Sequence, residues 1–108
     1  MIATTSHTVE HLDVQEYKGI VVSDVTAGRH VGKDFLAGIR NFFGGRSKSW
    51  EKTLREAQQQ ALRELVDEAE KQGANAVIAI EMEDEAIGQN GGMMNVKATG
   101  TAVVVEEE

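Results

Sequence analysis

Between positions 50 and 69 apolar residues recur at steps of four or three: Trp50, Leu54, Ala57, Ala61, Leu65 and Ala69, flanked by Leu62 and Val66. This spacing puts them on one side of an α-helix, while Glu51, Arg55, Gln59, Arg63 and Glu70 fall elsewhere. Alanine at half of the contact positions lets such a helix lie close to a sheet, so the rest of the chain has to supply that sheet. Ser47 or Ser49 can cap the helix start, and Gly73 offers the left-handed residue that follows many helix ends.

The flanking segments read as strands. Residues 17–27 (Tyr17 to Ala27) are rich in β-branched types and stop before Gly28. Ala76 to Glu85 and Met93 to Val105 alternate. In the first of these Ile78, Ile80 and Met82 are expected on one face and Val77, Ala79, Glu81, Glu83 and Glu85 on the other. In the second, Val96, Ala98, Ala102 and Val104 are expected opposite Asn95, Lys97, Thr99, Thr101, Val103 and Val105. The outer face is expected to be polar, with Lys97 across from Glu81 or Glu83. Residues 33–43 read as a short helix in which Phe35, Ile39 and Phe42 recur at helical spacing and Leu36 and Phe43 widen the apolar surface. The expected fold is α+β, with order β-α-β-β: an antiparallel sheet packed on one long amphipathic helix plus a short helix, forming a single domain over residues 1–108.

A chain of 108 residues buries a modest core. All three phenylalanines lie between positions 35 and 43, so association with further copies is an evident way to bury more. Eighteen acidic against eleven basic residues give a net charge of −7, which disfavours a phosphate-neutralising surface and therefore nucleic acid. Basic residues nevertheless gather as Arg29, Lys33, Arg40, Arg46, Lys48, Lys52 and Arg55, so a local anion site survives the acidic total. No cysteine is present, which excludes disulfides and thiolate metal sites. The amino-terminal residues lack a signal-peptide pattern and no apolar run reaches membrane-spanning length, so the expectation is a cytoplasmic protein without a membrane partner.

Four constellations are candidates for function. Gly44, Gly45, Arg46 and Ser47, with Arg40 six positions before Arg46, combine helix N-terminal amides with guanidinium forks that suit a phosphate or carboxylate; the same glycines also serve as a hinge, with Ser47 capping the helix. The connection from Gly88 to Met94, with Gln89 and Asn90, is longer and more polar than hairpin closure requires and fits either a polar ligand or a subunit contact. His7 and His11 are four apart near Glu10 and Asp13, a spacing that would serve a metal only on a helix, which the local sequence does not favour. Glu81, Glu83, Asp84 and Glu85 form an acidic run, ordinarily a solvated face and, in a ring of copies, a hard-cation site. Ser6, Ser23, Ser47 and Ser49 lack a histidine with a supporting acid apart from the poorly placed His7, so nucleophilic catalysis has no visible base. The residues point to a binding or scaffold protein rather than an enzyme, with cofactor and metal unassigned.

Phe35-Leu36-Ala37-Gly38-Ile39-Arg40, Gly44-Gly45-Arg46-Ser47, the helix with Glu51, Leu54 and Arg55, Gly73-Ala74-Asn75-Ala76, and Gly88-Gln89-Asn90-Gly91 together resemble the YbjQ-like family, uncharacterised proteins that carry a heavy-metal-binding label. The resemblance spans nearly the whole chain. It implies a dodecin-like β-α-β-β subunit and a ring-shaped homo-oligomer, a pentamer, and it implies no activity. A chain without cysteine lacks the thiolate that best selects a soft heavy metal.

Overall fold

The computed structural model describes residues 1–27, 48–87 and 92–107. Among these residues four strands and one helix succeed one another in the order β1 (Ile2–Ala3), β2 (Leu12–Ala27), α1 (Lys48–Lys71), β3 (Ala76–Ile87) and β4 (Met93–Glu107). They form one sheet with the strand order β1-β3-β4-β2, covered on one side by α1. The expected short helix over residues 33–43 lies outside the described residues. The sheet is mixed rather than antiparallel throughout: β1 runs parallel to β3, with Ile2 aligned with Ala76, while β3 and β2 both flank β4 antiparallel. The correction comes from the first residues of the chain, whose two-residue strand is too short to carry an alternation that a sequence can show.

Helix α1 forms as its spacing predicts. Ala57, Ala61, Leu65 and Ala69 are buried, and Trp50, Leu54 and Leu62 pack against the same core. It contains Ser49 and begins one residue after Ser47. Its end is closed by Gly73 at φ 87°, where the Gly73 N–H donates to Glu70 O at 2.9 Å and the Ala74 N–H to Ala69 O at 3.0 Å, the paired bonds that satisfy the last carbonyls. The buried Ser23 hydroxyl donates to Ala61 O at 2.6 Å and fastens β2 to the helix.

Bulges decide which residues face the helix. Ala79 adopts φ 54°, and the β3–β4 register shifts between Ile78 and Glu81. The extra residue reverses the alternation partway along β3. Ile78 therefore does not share a face with Ile80 and Met82. It joins Ala76, Val103 and Val105 in a second core on the outer side, whereas Val77 and Ile80 join the helix-side core. Val77 is accordingly separated from Glu81, Glu83 and Glu85. The bulge is held by the amino-terminal segment, with Ala79 N–H donating to Ser6 O at 2.8 Å and Ile80 N–H to Thr4 O at 3.1 Å.

Strand β2 starts five residues before the expected Tyr17, at Leu12. Its register with β4 shifts between Val14 and Glu16 and again between Tyr17 and Gly19. Two bulges convert the uneven spacing of Leu12, Val14, Tyr17, Ile20 and Val22 into a single outward row, while Val21, Ser23, Val25 and Ala27 turn to the helix. The outer face is thus not uniformly polar. Val9, Leu12 and Val14 cover one part of it, and Tyr17, Ile20 and Val22 stand open to solvent at 68%, 77% and 56% exposure.

Candidate functional site

The residues that the sequence singles out for an anion site, Arg40, Gly44, Gly45, Arg46 and Ser47, and for the polar loop, Gln89 and Asn90, lie outside the described residues. The structure does describe the points where these segments leave and re-enter the fold. Ala27, the last residue of β2, aligns with Met94, and Met94 aligns with Ala86 of β3, so segment 28–47 departs beside the mouth of the 88–91 connection. The helix places the other anchor. Its carboxyl end lies against Lys18, whose Cε and Nζ flank Gly73, while Ala61, further back, meets Ser23. The axis therefore runs opposite to β2, and Lys48 lies toward the Ala27 end. Both glycine-rich segments spring from one end of the subunit.

A cleft of about 140 Å³ opens on the outer side next to that end, lined by Glu83, Asp84, Glu85, Asn95 and Lys97. The register sets Glu83 opposite Lys97 and Glu85 opposite Asn95, and across β4 it sets Asp24 opposite Lys97 and Thr26 opposite Asn95. Asn95 is buried and organises this row: its amide donates to a carboxylate oxygen of Asp24, to Thr26 Oγ1 at 3.0 Å and toward Val25 O at 3.5 Å. A buried amide within a strand is a signal that the sequence carries and that alternation alone passes over, because Asn95 sits in an otherwise regular outward position.

A second, acidic groove of about 340 Å³ runs between the outer edge of β2 and the carboxyl half of α1, lined by Val22, Ser23 and Asp24 and by Glu64, Asp67, Glu68 and Lys71. Lys71 Nζ reaches Glu68 at 3.4 Å, and Glu64 accepts from Gln60 Nε2 at 2.9 Å. Glu64, Asp67 and Glu68 keep an i, i+3, i+4 pattern that puts them on one flank of the helix. That pattern is readable in the sequence, but the strand edge beside it is not.

Among the described residues, imidazole and carboxylate donors are not gathered for a metal. The chain has no thiol, His7 and His11 are exposed, and His11 lies in a left-handed turn at φ 67° with Nε2 3.6 Å from Glu10. Glu81, Glu83 and Glu85 do share the outer face, and they are exposed. Among the described residues no group of three or more histidine, aspartate or glutamate side chains is placed to hold a metal. No helix among them is long and apolar enough to cross a membrane.

Comparison with known proteins gives a consistent picture. Residues 1–106 match the YbjQ family model described as "Putative heavy-metal-binding". A UPF0145 protein of Acetivibrio thermocellus is 51% identical over 106 residues, covering 98% of this chain and 100% of that protein. A UPF0145 protein of Clostridium kluyveri is 53% identical with the same coverage. Among solved structures, a protein of unknown function in the DUF74 family from Pediococcus pentosaceus superposes with a TM-score of 0.63 at 15% identity, covering 98% of each chain, which shows a shared fold.

Proposed function

This chain belongs to the YbjQ family, and from that premise we propose that it is a homo-oligomeric binding protein that recognises a small anionic or polar ligand at subunit boundaries. In this reading residues 1–108 form one domain with a dodecin-like subunit arrangement, assembled as a ring, a pentamer by family resemblance, in the cytoplasm and without nucleic acid or membrane as a partner. Arg40, Gly44, Gly45, Arg46 and Ser47 supply guanidinium and backbone donors, and Gln89 and Asn90 supply mixed donors and acceptors. The observation that supports it is the convergence of chain anchors: Ala27, Lys48 and the Ile87–Met93 mouth lie at one end of the subunit, so both polar glycine-rich segments start from the same place. An enzyme is not part of the proposal, because the sequence offers no serine with a well-placed histidine and supporting acid.

The test is direct. Denaturing extraction and mass spectrometry of purified protein should release a bound small molecule, or phosphate should raise the melting temperature in a way that Arg46→Ala abolishes. No extractable molecule, together with identical anion responses of wild type and Arg46→Ala, would sink the ligand reading. A second reading, a purely structural role for the same residues, is favoured by the exposed Tyr17, Ile20 and Val22 row. It predicts that Arg46→Ala lowers the copy number in light scattering without any ligand being found. Cation binding through Glu81, Glu83, Asp84 and Glu85 has less support, because these exposed side chains are not gathered within one subunit.

A further inference from the structure

Helix α1 turns Ala57, Ala61 and Leu65 to the sheet, where they are buried, and its opposite side to solvent. Along that solvent side Lys52, Arg55, Gln59 and Arg63 recur at steps of three or four, all exposed. No acid interrupts this basic crest: Glu51 and Glu56 fall to either side of it, and Glu70 follows about two turns beyond Arg63. The far side of the sheet has the opposite sign. Glu81, Glu83 and Glu85 form an exposed outward row on β3, with Lys97 of β4 as the one cation facing it among the described residues. Beyond Ile80 this half of β3 is an open edge among the described residues, because β1 aligns only with Ala76 and Val77. No ion pair among the described residues engages Lys52, Arg55 or the three carboxylates, and Arg63 donates to a neutral acceptor, Gln60 Oε1, at 2.7 Å.

We propose that the basic crest of α1 docks on the acidic outer row of β3 in a second copy of this chain. This contact rests on the homo-oligomeric reading above and gives it two complementary surfaces. The two rows cannot meet within one subunit, because the crest points away from one side of the sheet and the carboxylates point away from the other. Between copies their spacings match. Arg55 and Arg63 are about 12 Å apart at about 1.5 Å per helical residue, and Glu81 and Glu85 about 13 Å apart at about 3.3 Å per strand residue. Two guanidinium groups can therefore meet two carboxylates at once. A net charge of −7 disfavours nucleic acid as the partner of the crest, whereas the acidic row of a further copy is supplied by the chain itself. Each copy offers its crest to one neighbour and its β3 row to another. The contact is thus heterologous, and its repetition builds a ring when the rotation closes.

Charge reversal in the full chain tests the contact, with copy number followed by light scattering across a dilution series and folding by helical circular dichroism. Arg55→Glu with Arg63→Glu, and separately Glu81→Lys with Glu85→Lys, should each raise the concentration at which the oligomer half-dissociates by roughly tenfold or more. All four substitutions together should restore it, because every contact then pairs a reversed crest with a reversed row. Should a reversed variant lose its helical signal, Arg55→Gln with Arg63→Gln and Glu81→Gln with Glu85→Gln carry the same expectation for each surface in smaller measure. A wild-type protein that stays monomeric across concentrations removes the homo-oligomeric reading and this inference with it. An oligomer that ignores both reversals, that responds to one surface only, or that is weakened by each pair without recovery in the combined variant overturns the inference alone.

Discussion

Gly100 is the position where the β3 bulge makes its strongest demand on sequence. It lies on the helix side of β4, opposite Val21, and a Cβ built there would fall 2.6 Å from Val77 Cγ1 and 3.2 Å from Ile80 Cγ1. Val77 and Ile80 are both buried against the helix, and the extra residue at Ala79 is what brings them both over one glycine. Carbon atoms pack at about 3.5 to 4.0 Å, so the nearer contact is roughly 1 Å too short. Gly100→Ala should lose about 1 to 3 kcal/mol to overpacking, against a gain of about 0.5 to 1 kcal/mol from removing a glycine in a strand. The net expectation is a destabilisation of about 1 to 2 kcal/mol, a melting temperature lower by roughly 4 to 12 °C for a domain of this size. Thermal unfolding of wild type, Gly100→Ala, Val77→Ala and the double variant gives the decisive cycle. Because Val77→Ala removes the clashing methyl, the double variant should be more stable than the two single effects summed, by about 1 kcal/mol or more. A Gly100→Ala protein that melts at or above wild type, or effects that add with no coupling, would refute the account of a crowded bulge.

Three further expectations concern the same scaffold. Asn75 forms a two-way clip to β4, donating from Nδ2 to Val105 O at 3.0 Å while Oδ1 accepts from the Val105 N–H at 2.8 Å, so Asn75→Ala should cost about 1 to 3 kcal/mol in denaturant unfolding, whereas an effect below about 0.5 kcal/mol would show the clip to be idle. Ala79 holds a left-handed φ of 54°, and Ala79→Gly should stabilise by up to about 1 kcal/mol; a clear loss would mean that its methyl matters more than its backbone strain. Removing the buried Ser23 hydroxyl, which donates to Ala61 O at 2.6 Å, should cost about 1 kcal/mol in Ser23→Ala and leave the helical circular dichroism of the native state unchanged.

Elements that obey a single period are legible in the sequence. The helix from Lys48 to Lys71, its Gly73 end and the helix-side row of β4 all arise from local spacing, and they form as that spacing requires. Bulges at Ala79, near Gln15 and near Lys18 add one residue each and reverse the phase beyond them, which is why strict alternation puts Ile78 and Ile80 on one face and hides the first five residues of β2. Nothing local marks Ala79 as left-handed; the conformation is held by the Ser6 and Thr4 carbonyls, more than seventy positions away in the chain. The acidic groove is hidden for the same reason, because Asp24 and Glu64 become neighbours only after β2 docks on α1. The arginine and glycine residues of segment 28–47 remain the sequence's own candidates, and the fold adds where that segment begins and ends.

The short strand at Ile2–Ala3 has a temporal consequence. Its hydrogen-bonding partner begins at Ala76, so Ile2 and Ala3 cannot take their place until the chain has been made as far as Ala76, some 4 to 15 s after them at about 5 to 20 residues per second. Until then, the Ser6 and Thr4 carbonyls that hold the Ala79 turn have nothing to hold. The parallel edge of the sheet therefore closes only once β3 exists, and residues 2–6 act as the latch on the Ala79 turn.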